Sequence, residues 1–183
     1  VFAFAFTGYV QRTSVSIAAA RMMPELGLTQ TQVGWLFTAF LATYAAFQIP
    51  GALFGQRVGP RLALTVVGLV TLGGSLLTVA APSLAAGAAL LVLLMLARAL
   101  LGVAQGGLFP VGAGTIQRWF PVRTWAGAQG LVVTGLWLGA AVTPPLVAWL
   151  MTAHGWRRAV VLVSVPSLLV VVLWWVVARD RPA

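Results

Sequence analysis

Residues 62–97, LALTVVGLVTLGGSLLTVAAPSLAAGAALLVLLMLA, carry no charged side chain. As one straight helix at about 1.5 Å per residue this run would extend well past the ~30 Å hydrocarbon core of a bilayer. It must therefore fold back on itself, and Ala81-Pro82-Ser83 is the natural place to turn. The neighbouring charge-free runs, 26–56, 124–156 and 159–178, are each long enough for a span of about 20 residues. Only 7% of the chain is charged and 61% is hydrophobic, with a mean hydropathy of +1.00, against about 25% charged in a soluble domain. No water-soluble fold hides that much apolar surface.

Cutting the runs at Pro, Gly and Arg gives six segments, about 1–22, 32–55, 62–81, 86–114, 124–151 and 158–178. Backbone polar groups in lipid must bond within their own segment, so each is read as a helix. The expected fold is all-α: a polytopic bundle of six transmembrane helices forming a single unit. Met23-Pro24-Glu25-Leu26-Gly27 is expected to be a polar turn. Thr29-Gln30-Thr31-Gln32 has the capping-box pattern that starts a helix. Val58-Gly59-Pro60, Phe120-Pro121 and His154-Gly155 end others. Gly135/Gly139 and Gly102/Gly106 repeat at the small-xxx-small spacing that lets helices approach closely.

The formal charge is +9, carried wholly by arginine, against two acids, Glu25 and Asp180. Nucleic acid is not the expected partner, because the arginines are scattered between apolar runs and form no basic face. In a six-span arrangement Arg57, Arg61, Arg118, Arg123, Arg179 and Arg181 fall on one side, and Arg21, Arg157 and Arg158 on the other. The arginine excess marks the cytoplasmic side, so both chain ends are expected there, in a bacterial inner (plasma) membrane. Trp119, Trp125, Trp156, Trp174 and Trp175 lie near expected span ends.

Arg12 and Arg98 do not fit at a boundary. An arginine at the bilayer centre costs about 2.5–3.5 kcal/mol on insertion scales, so it normally faces a cavity or a partner. At 100° per residue Tyr9, Arg12 and Ser16 lie within about 60° of each other, and Arg98 and Gln105, seven residues apart, within about 20°. Tyr44 and Gln48 are one turn apart. A cavity lined by Tyr9, Arg12, Tyr44, Gln48, Arg98 and Gln105 would offer guanidinium forks to a carboxylate or other oxyanion. The competing reading of each arginine is structural, bonded to carbonyls at a helix contact. Cysteine is absent and His154 is the lone histidine, so no metal site, cofactor or catalytic constellation is expected.

In order along the chain, Tyr9-Val10-Gln11-Arg12-Thr13, Gly27-Leu28, Gln32-Val33-Gly34-Trp35, Tyr44 to Pro50, Gln56-Arg57-Val58-Gly59-Pro60-Arg61, Arg98 to Gly102, Phe109-Pro110, Arg118 to Pro121, Gly139 to Pro145 and Gly155-Trp156-Arg157 resemble the major facilitator superfamily. The closest likeness is to its organic anion:cation symporter branch. The resemblance implies the first half of a twelve-helix secondary transporter, a 3+3 inverted repeat, moving a small organic anion by alternating access. It implies that Arg12 binds the anion, Tyr44 lines the cavity, Arg98 sits near the coupling acid, and Gln56, Arg57 and Arg61 belong to a cytoplasmic gate. Three of the branch's acids are replaced, by Gln11, Gln56 and Gln105. Glutamine is nearly isosteric but cannot ionise, so these helices are not expected to supply a coupling proton site. The expected partners are an anionic substrate, the lipid bilayer, and six further helices absent from this chain or a second copy acting as a homodimer. A non-transporting sensor or assembly module, and an intramembrane enzyme, are the readings from other classes.

Overall fold

The computed structural model describes residues 1–179; Asp180 and Arg181, the latter expected on the cytoplasmic side, lie outside the described residues. The chain is a helical bundle built from α1 (Phe2–Leu26), α2 (Gln30–Ala46), α3 (Gln48–Val58), α4 (Pro60–Leu84), α5 (Gly87–Gly106), α6 (Leu108–Trp119) and α7 (Trp125–Val177), with a 3-10 turn at Val122–Thr124. Among the described residues three stretches are long and apolar enough to cross a membrane: Pro60–Leu84, Gly87–Trp119 and Val122–Val177. A fourth appears if α2 and α3, bent by 50°, are taken as one broken span.

A straight helix of 56 residues would be about 84 Å long, which no bilayer accommodates. Gly155 resolves this: at φ 77° and ψ 163° it breaks α7, a conformation open to glycine because it lacks a Cβ. Val147 and Leu150 before the break and Ala159 and Val163 after it share one core with Val10 of α1. The two arms of α7 therefore fold back beside each other and beside α1.

Several helix ends differ from those expected. α1 continues through Pro24 to Leu26 and stops at Gly27, φ 64°. α4 continues through Pro82 to Leu84. One proline removes one donor, whereas unwinding a turn would release several backbone groups, so each helix outlasts its proline. The Thr29 start holds its capping box: Gln32 N donates to Thr29 Oγ1 at 3.2 Å and Thr29 N to Gln32 Oε1 at 2.8 Å.

Two breaks have no counterpart in the expected segments. The 32–55 segment bends at Phe47, and the 86–114 segment is divided at Gly107. The two breaks touch. A Cβ on Gly51 would lie 2.5 Å from Gly107 Cα, and one on Gly106 would lie 3.1 Å from the Phe47 carbonyl carbon. The Gly135/Gly139 pair seats α7 on α1, where added Cβ atoms would meet Phe2 O at 2.9 Å and Phe6 O at 2.8 Å.

At one end of the bundle Glu25 ties α1 to the Gly155 corner. Its carboxylate accepts the Trp156 indole N–H and an Arg157 N–H. The Trp156 hydrogen bond, ahead of the Arg157 contact, holds the Glu25 carboxyl below the ordinary glutamate value. A depressed carboxyl contributes stability above its unfolded value, about 4.3, and loses it as pH falls through the lower folded value. The melting temperature of the purified protein should accordingly fall on acidification below about pH 4. Glu25→Gln should melt lower at neutral pH with a flatter acid dependence; equal slopes in both proteins would remove the latch.

Candidate functional site

Arg12 sits in the middle of α1, half-buried, and its guanidinium is surrounded by rings. Its Cζ lies 5.6 Å from the Tyr9 ring centroid, 4.8 Å from Phe40 and 5.3 Å from Tyr44. Tyr9 is one turn away on the same helix. Phe40 and Tyr44 are one turn apart on α2 and stack on each other, centroids 5.8 Å apart and planes 19° from parallel. Each ring face attracts a cation by ~0.5–2 kcal/mol, more as water is excluded. The cage holds the charge without neutralising it. Ring contacts take up none of the guanidinium N–H groups, and a guanidinium with free N–H groups can receive a carboxylate or sulfonate.

α2 stands close enough to form this cage because α5 offers it no side chains at the crossing. A Cβ on Gly102 would lie 2.1 Å from Thr43 Oγ1 and 2.4 Å from Phe40 O, and one on Gly106 would lie 2.7 Å from Tyr44 O. The residues whose backbones rest on these glycines include Phe40 and Tyr44 themselves. Helix packing and ring placement are therefore one event.

On the next layer inward, Arg98 of α5 is 1% exposed. Its Nε and Nη2 are buried with no hydrogen-bond partner. The Phe37 ring of α2 lies 5.9 Å from its Cζ, one helical turn from the Phe40 ring that packs on Arg12. The polar neighbours are already committed. Ser75 Oγ of α4 donates to Gln11 Oε1 at 2.8 Å, and Gln105 Nε2 donates to Gly8 O at 3.0 Å. Both glutamines thus join helices, α1 to α4 and α5 to α1.

The structure brings Tyr9, Arg12 and Tyr44 together, with Arg98 and Gln105 behind them. Gln48 is exposed, and the bend at Phe47 places it on α3, off the helix that carries Tyr44. Ser16 is exposed. Phe40, Phe37 and Ser75 were not singled out in the sequence, although Phe40 precedes Tyr44 by the four residues that put two side chains on one helix face.

The three residues expected at a gate lie where α3 passes into α4. Gln56 and Arg57 are exposed, and Gln56 lines a cleft of about 130 Å³ together with Arg118. Arg61 turns to the end of α7 instead. Its Nε and Nη2 donate to Trp175 O at 3.0 and 2.7 Å, its Cζ lies 4.4 Å from the Trp175 ring, and Trp174 Nε1 donates to Arg61 O at 3.2 Å.

Apolar helices of membrane-crossing length packed around a caged, unneutralised cation define an integral membrane protein with a polar interior site. The chain belongs to the Major Facilitator Superfamily, which it matches over residues 1–183. It is 34% identical over 177 residues to a probable sulfoacetate transporter of Cupriavidus necator, covering 97% of this chain and 40% of that protein. It is 31% identical to a hexuronate transporter of Bacillus subtilis, covering 95% of this chain and 40% of that protein. The chain thus spans about 40% of the length of these curated relatives. It shares its fold with a bacterial homolog of the human lysosomal transporter Spinster, solved in an inward-facing, unoccupied conformation. That match has a TM-score of 0.79 at 20% identity and covers 99% of this chain and 42% of the other.

If the Gly102 crossing sets the cage, Gly102→Ala should destabilise the protein by about 1–3 kcal/mol, because backbone atoms of α2 must retreat. Gly73→Ala, with nothing within 4 Å of its added methyl, should melt within about 0.5 kcal/mol of the parent. Thermal melts of the two variants side by side check this, and indistinguishable melts would contradict it.

Proposed function

We propose that this chain is part of a secondary transporter that moves a small organic anion across the membrane by alternating access, with Arg12 as the residue that binds the anion. The observation that carries the reading is the Arg12 cage: a half-buried guanidinium, held by three rings and without a hydrogen-bonded or ionic partner among the described residues. A permanent counter-ion would make such a group structural. Aromatic faces stabilise it while leaving its hydrogen-bonding capacity unused, as a reversible anion site requires.

The names of the relatives agree in kind, being transporters of sulfoacetate, hexuronate and galactonate. All of these are compact acids rich in oxygen. In the proposed arrangement the chain crosses the membrane six times, with α2 and α3 as one bent span and α7 as two. Its ends lie on the cytoplasmic side of a bacterial plasma membrane, and Gln56, Arg57 and Arg61 lie at the cytoplasmic gate. Tyr9, Tyr44 and Gln48 line the route, and a second six-helix half or a second copy closes the site from the other side.

Uptake into proteoliposomes by the full-length protein tests the anion site. Arg12→Ala should lower the apparent affinity for sulfoacetate or a hexuronate by about 10–100-fold, the value of a lost charge-assisted bidentate contact, with Arg12→Lys intermediate. Uptake unchanged in Arg12→Ala would end this assignment. A second measurement addresses the missing acids: the parent protein should transport with little pH dependence arising from this half, and Gln105→Glu should introduce a titration. A flat profile in Gln105→Glu would show that a carboxyl at this position is uncoupled from transport.

A further inference from the structure

Arg98 poses a charge problem that the cage does not solve. It is 1% exposed, two of its nitrogens lack partners, and the Phe37 ring beside it is one turn of α2 from the Phe40 ring beside Arg12, which brings a like charge into its neighbourhood. An unpaired buried cation is costly, and two such cations near each other more so. Nothing on the described helices supplies a compensating anion. Glu25 is about 20 Å along α1 from Arg12 and is already occupied by Trp156 and Arg157. The other acid of the sequence, Asp180, lies outside the described residues. Gln11 and Gln105, the buried amides of α1 and α5, are neutral and spend their hydrogen bonds on Ser75 and Gly8.

We infer that Arg98 makes the site selective for the charge of its ligand: the Arg12–Arg98 pair favours organic dianions over monoanions of the same shape. The inference rests on the reading of the Arg12 cage as an anion site and adds the substrate class. Arg12 takes the ligand by contact. Arg98, sealed behind it, acts through its field, which in a water-poor bundle is weakly screened. A dianion balances both guanidiniums, whereas a monoanion leaves one of them uncompensated. Arg98 is thus a specificity-determining residue that need not touch the ligand.

Matched ligands that differ by one charge test this with the full-length protein in lipid nanodiscs: glucarate against gluconate, and succinate against succinamate. Dissociation constants by calorimetry should favour the dianion of a pair by about tenfold or more in the parent. Arg98→Gln should bring that ratio toward one, and Arg98→Lys should keep it, which a merely structural role for Arg98 would not produce. Equal affinities within each pair in the parent, or an undiminished ratio in Arg98→Gln, overturn the inference while leaving an anion site at Arg12. Because the parent ratio needs no variant, a poorly folding Arg98→Gln does not shield the idea. Failure of all four acids to bind, with transport unaffected by Arg12→Ala, would instead bring down the anion-site reading and this inference with it.

Discussion

A positive charge placed inside a lipid-embedded bundle, with no carboxylate beside it, governs the arrangement of everything around it. Water cannot solvate Arg12 and Arg98 as it would at a surface, and Glu25, the one acid among the described residues, is taken by Trp156 and Arg157. Arg12 is stabilised by ring faces. Arg98 is enclosed so completely that two of its nitrogens are buried without a partner, which is costly for a charged group. Proteins keep such features where a ligand or partner supplies the balance, since an unneutralised buried charge is otherwise removed by any neutral substitution of similar volume.

The cage exists because backbone can approach backbone. Gly102 and Gly106 let α5 lie against Phe40, Thr43 and Tyr44 of α2, and Gly51 meets Gly107 where both helical segments break. In lipid there is no hydrophobic gain from bringing helices together, so the contact depends on close packing of small residues. The breaks at Phe47 and Gly107 are matched across this seam. A hinge in one segment with a straight neighbour would open a gap; two adjacent breaks keep the surfaces in register while both segments change direction.

Much of the fold was legible in the sequence, because the bilayer leaves few choices: apolar runs of fixed minimum length, internally bonded, must be helices. The small-residue pairs at Gly102/Gly106 and Gly135/Gly139 likewise lie at helix contacts. Helix ends were read less well. Pro24 and Pro82 look like terminators by their soluble-protein behaviour, yet lipid penalises unwinding more than it penalises one missing donor. The breaks at Phe47 and Gly107 were invisible because neither is forced by its own residue; each is defined by its contact with the other. Within the site, Tyr9, Arg12 and Tyr44 could be grouped by angle along a helix. Phe40 and Phe37 could not be separated from ordinary lipid-facing aromatics until α2 was placed against α1 and α5.

The glutamines at positions 11 and 105 give the site a fixed character. A glutamate at position 11 could accept the Ser75 hydroxyl as Gln11 does, and would also set a negative charge one residue from Arg12. A glutamate at position 105 would have no N–H to give to Gly8 O unless it were protonated, so the α5–α1 contact would itself become pH-dependent. With glutamine in both places the helix contacts are independent of proton concentration, and the positive charge is left for something else to balance. A proton-coupled carrier needs a group that exchanges charge between its two states. Neither glutamine on the described helices is such a group, and in the proposed anion site the charge that arrives and departs would be the ligand's own.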